Sequence, residues 1–114
     1  MKITDLLKPQ SILLNAAPID KADAIYTLGD LMDKSGNLSD KAEYLKAVFA
    51  REEAGSTGLG DGIATPHAKS NGVKEAGLAA MVVPNGVDFD ALDGQPSRLF
   101  FMIAAPEGAA DTHV

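Results

Sequence analysis

Apolar residues recur along the chain in two different rhythms, and the switch between them divides it. Ile12, Leu13 and Leu14 form a short apolar run, opened by Pro9 and closed near Asn15, which predicts a first buried strand. Behind Asp20, a residue suited to cap a helix start, Ala24, Ile25, Leu28, Leu31 and Met32 recur at helical spacing until Gly36 supplies a stop. A second helix is predicted with Ser39 as its cap, Ala42, Leu45, Val48 and Phe49 on one face, and Gly55 at its end. The short connection between the two predicts an antiparallel pair. From Gly55 the helical rhythm is lost. Gly55, Gly58, Gly60, Gly62 and Gly72 punctuate a stretch that cannot be regular helix. The apolar runs LAAMVV (78–83) and LFFMIA (99–104), bounded by Gly, Pro and Asn, read as strands covered on both faces. Between them Val87 and Phe89 alternate with Asp88 and Asp90, an edge strand or extended arm. The fold class these elements predict is α/β: a single domain over 1–114, an α/β sandwich with a mixed β-sheet flanked by helices.

Composition narrows the function. The 114 residues are 46% hydrophobic and 23% charged, a globular balance. The formal charge of -6, with no dense Lys/Arg run, argues against a nucleic-acid partner, whose phosphates need a basic face. The absence of cysteine excludes disulfides, thiolate metal sites and a cysteine nucleophile, and suits a reducing compartment. Asp5, Lys8 and Pro9 interrupt the N-terminal apolar stretch before it reaches signal-peptide length, and no run approaches the roughly 18 apolar residues of a membrane span. A cytoplasmic protein is expected.

The glycine-rich stretch is where chemistry is expected. Gly55 and Gly60 match the frame of a nucleotide-binding phosphate loop, but Asp61 stands where that loop needs its lysine, and a carboxylate there repels phosphate. The dinucleotide fingerprint fails too, since Ile63 and Thr65 stand where its third glycine belongs. What the stretch offers is His67 directly after Pro66, with Arg51, Ser56 and Thr57 upstream. Proline fixes its own φ and holds the next residue in a set direction. An imidazole offers a neutral, nucleophilic nitrogen at physiological pH. Phosphoryl transfer asks mainly for positioning and charge stabilisation. Arg51 offers a bidentate contact, and Thr57 with the loop N–H groups offers hydrogen bonds. A lone loop histidine is nevertheless more often solvated or structural than catalytic, and a cation near a helix C-terminus is favourable without any function. Spacing alone leaves both readings open.

The segment REEAGSTGLGDGIATPHAKS (51–70) resembles the phosphorylation-site segment of the fructose/mannitol-type IIA domains of the sugar phosphotransferase system, which show Arg-Glu, Gly-Ser-Thr-Gly, Gly-Ile-Ala and Pro-His elements in this order. The later segment, from Gly86 to Val114, resembles the family's second block, with a Pro-Glu element and a second histidine. The resemblance implies a mixed sheet flanked by helices and a phosphoryl carrier without cofactor. His67 would accept a phosphoryl group, as a tele-phosphohistidine, from the histidine-containing phosphocarrier protein. It would pass it to a cysteine of a IIB domain, which phosphorylates sugar as the membrane IIC permease imports it. Arg51 would offset phosphoryl charge, Thr57 would hydrogen-bond to the group, and His113 would stand beside it. The sequence departs from the pattern at Thr65, a position usually aliphatic, and it stops at Val114 where relatives continue into a helical segment. That predicts an incompletely covered strand at 99–104. The alternative is the nitrogen-related branch of the same family, which keeps the histidine and controls partner proteins by its phosphorylation state. A metal site built from His67, His113 and Asp111 lacks any known zinc spacing. The sugar cannot be read, because a IIA domain never touches it.

Overall fold

Within residues 2–108, which the computed structural model describes, the chain runs α1 (Ile3–Leu6), β1 (Leu7–Leu13), α2 (Lys21–Lys34), α3 (Lys41–Glu53), β2 (Gly58–Gly60), β3 (Ile63–Ala64), β4 (His67–Ser70), β5 (Gly77–Val87) and β6 (Ser97–Pro106). Asp20 starts α2 as the sequence predicts: its carboxylate accepts from the Asp23 N–H at 2.8 Å, pairing a donor that a helix start leaves free. Ala24, Ile25, Leu28, Leu31 and Met32 are all buried, and Gly36 follows the helix with φ +82°, the left-handed stop expected of it. The start of α3 lies one residue later than predicted. Asp40, not Ser39, caps it by accepting from the Glu43 N–H at 3.1 Å, because an ionised carboxylate is the stronger acceptor for that donor.

The two helices pack antiparallel. Tyr26 meets Phe49 with ring centroids 5.3 Å apart, Gly29 faces Leu45, and Asp30 pairs with Lys41 at 2.8 Å, so rising numbers on one helix meet falling numbers on the other. The approach is close: a Cβ on Gly29 would stand 2.7 Å from Leu45 Cδ2.

The sheet has six strands in the order β1-β5-β6-β3-β2, with β4 also on β6. It is mixed, as predicted: β1 runs parallel to β5, β5 antiparallel to β6, and both β3 and β4 parallel to β6. One face of β5 and β6 (Ala79, Met81, Phe100, Met102, Ala104) joins the helices in the core. The other face is less covered than the apolar runs alone suggest. Leu78 and Ala80 of β5 are buried, but Leu99, Phe101 and Ile103 of β6 are only half-buried. The run 12–14 is not a buried strand either: Ile12 and Leu13 are 36% exposed and Leu14 is 69% exposed. β1 ends the sheet order, so it has a neighbouring strand on one side only.

Tyr44 ties α3 to the centre of β6. Its hydroxyl donates to the Ile103 carbonyl at 2.8 Å, and its ring is fully buried. Burial pushes the phenol far above its ordinary range, so it remains an O–H donor at any working pH. Tyr44→Phe leaves the Ile103 carbonyl without this donor and is expected to lower stability by about 1–2 kcal/mol, read by urea unfolding.

Candidate functional site

Where α3 ends, a buried acid begins the site. Glu52 falls on the buried stripe of α3 with Tyr44, Leu45 and Val48. Its carboxylate accepts the Thr57 N–H at 3.1 Å and the Thr57 hydroxyl, and it pairs with the Lys21 ammonium at 3.0 Å. Lys21 also lies 4.8 Å from the centre of the Phe89 ring and 3.4 Å from Asp90. The loop beyond is held from two sides. Ser56 donates to the Phe89 carbonyl at 2.8 Å, and Gly58 admits the 89–92 segment so closely that a Cβ there would stand 2.9 Å from Ala91 Cα. The Gly58 carbonyl accepts the Leu92 N–H at 3.0 Å in the same contact.

The chain then turns through Gly60, Asp61 and Gly62, all at positive φ, a conformation that glycine adopts without penalty. It lies down twice along the same edge of β6. β3 pairs with Leu99 and Phe100, and β4 begins as His67 pairs with Ile103. Between them Thr65 and Pro66 form the step. The Thr65 N–H donates to the Thr57 carbonyl at 3.0 Å, and the Pro66 carbonyl accepts the Ile103 N–H at 3.1 Å.

This step fixes the histidine. His67 is half-buried, and its Nδ1 lies 2.7 Å from the Thr65 carbonyl. A carbonyl oxygen only accepts, so Nδ1 is assigned the ring proton in the neutral imidazole and Nε2 carries the free lone pair. In-register neighbours share a face of the sheet, so His67 stands on the half-exposed side with Ile103, the face that also carries Phe101 and Leu99.

The other sequence candidates are placed differently. Arg51 is exposed at the end of α3, where Nη1 donates to the Gly55 carbonyl at 2.7 Å. The Thr57 side chain is buried with its hydroxyl turned to Glu52, and Thr57 reaches His67 through the backbone of Thr65. His113 and Asp111 lie outside the described residues. Glu52 and Lys21 were not singled out by sequence. The available signal was the spacing of Tyr44, Val48 and Glu52, which puts a carboxylate on a core-facing stripe, where a charge requires a partner.

A shallow groove of about 490 Å³ opens at the β3 end of the same edge, lined by Asp61, Ile63, Asp93, Gln95 and Arg98 among others. The Gln95 and Asp61 N–H groups hold the Asp93 carboxyl below the usual carboxylate range. None of the helices among the described residues is long and apolar enough to cross a membrane.

Comparison with known proteins agrees with this architecture. The chain is 46% identical, over its full 114 residues, to the fructose-specific EIIABC component of the phosphotransferase system of Bacillus subtilis, and it spans 18% of that protein's length. Among solved structures, the nitrogen regulatory protein IIA-Ntr of Neisseria meningitidis is similar with a TM-score of 0.83 and 38% identity, covering 92% of this chain and 71% of that one. The IIA-mannitol enzyme of Escherichia coli, solved in complex with phosphorylated IIB-mannitol, is similar with a TM-score of 0.78 and 29% identity, covering 91% of this chain and 74% of that one. Residues 5–114 match the family described as phosphoenolpyruvate-dependent sugar phosphotransferase system, EIIA 2, and the chain belongs to that family.

Proposed function

We propose that this domain is the phosphoryl carrier of a fructose- or mannitol-type sugar phosphotransferase system, with Nε2 of His67 as the atom that carries the group. The observation behind it is the Nδ1 contact to the Thr65 carbonyl, which leaves Nε2 unprotonated and aimed by the backbone. In the first step the Nε2 lone pair attacks the phosphorus of the phosphocarrier protein's phosphohistidine. A P–N bond forms on His67 as the donor's P–N bond breaks. In the second step a IIB cysteine thiolate attacks that phosphorus, a P–S bond forms, and the electron pair returns to Nε2. The apolar surroundings of His67 suit a partner that docks over the ring and excludes water during transfer. Arg51 offsets phosphoryl charge. His113 is proposed as a second imidazole near the group, so His113→Ala accepts phosphate and passes it on slowly.

The sugar-specific branch is favoured by the 46% identity to a fructose-specific protein. The likeness to a nitrogen regulatory structure favours the second reading, in which the phosphorylated domain controls a partner. The experiment is a two-step label transfer from a phosphorylated phosphocarrier protein to this chain, then to a fructose-type IIB domain. Rapid transfer to the IIB cysteine supports the carrier. Labelling of the chain with no onward transfer to any sugar-type IIB favours the regulator.

Arg51 has its own test. Arg51→Lys keeps the charge and loses the planar fork, so a phosphoryl-contacting role predicts roughly a 10²-fold slower single-turnover transfer. A rate equal to wild type reduces Arg51 to a helix-end cation bonded to Gly55.

A further inference from the structure

We propose that Glu52, neutralised by Lys21, is a positioning residue that sets the tautomer and orientation of the His67 ring; this rests on the carrier reading above. The contacts form one continuous path. Lys21 Nζ stands 3.0 Å from Glu52 Oε1. The same carboxylate takes both the N–H of Thr57, at 3.1 Å, and its hydroxyl. A residue held by backbone and side chain at once has little freedom left. Its carbonyl then accepts the Thr65 N–H at 3.0 Å, and the Thr65 carbonyl lies 2.7 Å from His67 Nδ1. Each link passes through a single residue, so movement at Glu52 reaches the imidazole after two steps of backbone.

The buried charge is not by itself a stabilising choice. Glu52 is an anion in the last turn of α3, where the helix dipole opposes it. Its side chain is 4% exposed, so it also loses hydration. Buried ion pairs are commonly no better for stability than apolar residues of the same volume. An apolar side chain at position 52 would satisfy the core, but it would leave the Thr57 N–H and hydroxyl unanchored. The carboxylate is the group that can take both donors, and Lys21 supplies the charge that keeps it from opposing an incoming phosphoryl group. The hydroxyl of Thr57 therefore acts on the histidine through the loop and not on the phosphoryl group directly.

The test uses the full chain carrying Glu52→Ala, Thr57→Val or Lys21→Met, with Thr57→Ser and Lys21→Arg as conservative partners. Long-range proton–nitrogen correlation spectra of the imidazole report the tautomer without any phosphoryl donor, and single-turnover labelling reports transfer. In the wild type the Nδ1–H form is expected to dominate. Glu52→Ala and Thr57→Val are expected to shift the ring toward the Nε2–H form and slow transfer about 10-fold, with a smaller change in Lys21→Met. Thr57→Ser and Lys21→Arg recover most of both. A folded Glu52→Ala with an unchanged tautomer overturns the proposal, whether or not its rate falls, since a rate loss alone would be a structural effect. Should Glu52→Ala fail to fold, Thr57→Val against Thr57→Ser decides on the same criterion. A wild-type chain that takes no label at all counts against the carrier reading, while the tautomer shift still decides the role of Glu52.

Discussion

His67→Ala is expected to take no label from a phosphorylated phosphocarrier protein under conditions that label the wild type to completion. Among nitrogen nucleophiles the chain has one other imidazole, His113, and it has no cysteine. Phosphoryl groups on imidazole nitrogen are lost in acid, whereas esters of serine or threonine survive it, so acid treatment separates the two. His113→Ala is expected to label normally. The position on the ring is a second and sharper outcome. With Nδ1 protonated toward the Thr65 carbonyl, Nε2 is the free nucleophile, and phosphorus–nitrogen coupling in the labelled protein should place the group there. Acid-labile label persisting in His67→Ala would remove the histidine from the mechanism. A phosphoryl group found on Nδ1 would keep the histidine and discard the tautomer argument.

How much of this was legible in the sequence differs from element to element. The pattern of α2 was sufficient because cap, stripe and stop all agree, and each acts within a few residues: Asp20 on Asp23, the five buried positions, Gly36 at positive φ. At α3 two adjacent residues could serve as cap, and the carboxylate of Asp40 took the role read for Ser39. The strands 78–83 and 99–104 were recognised as apolar runs, but an apolar run does not state what lies over each face. β5 is covered on both sides, β6 leaves Leu99, Phe101 and Ile103 half-buried, and the run 12–14 is at the margin of the sheet.

The site shows the same division. The step that fixes His67 was half readable: Pro66 is a local signal, whereas the Thr65 carbonyl becomes a partner only when β3 and β4 lie along one strand. Glu52 stands beside Arg51 in the sequence, with no local sign of its role. Its partners are Thr57, five residues on, and Lys21, far upstream, and only folding brings Lys21 to it.

Replacing Phe89 carries the second large effect. Its alternation with Asp88 and Asp90, read as an edge strand or extended arm, sets Val87 and Phe89 inward and the two aspartates outward. In the structure Phe89 is fully buried, edge-on to Phe100 with centroids 5.2 Å apart and planes at 77°. Its ring also lies 4.8 Å from the Lys21 ammonium, which adds a cation–π contact to the area it buries. Phe89→Ala is therefore expected to cost about 3–5 kcal/mol, the range for deleting a buried aromatic ring. That is a large part of the roughly 5–15 kcal/mol that holds a domain together. Leu92, three residues on, is the internal control: it is 77% exposed, so Leu92→Ala should change stability by no more than about 0.5 kcal/mol. The function should follow the stability. The Phe89 carbonyl holds the Ser56 hydroxyl and its ring borders Lys21, so a collapsed or emptied pocket loosens the loop that precedes His67 from both sides. Urea unfolding of the two variants beside the wild type checks the first part, and single-turnover labelling of the folded Phe89→Ala protein checks the second. If Phe89→Ala unfolds no more readily than Leu92→Ala, the Phe89 ring adds little to the fold and the loop before His67 is held by α3 alone.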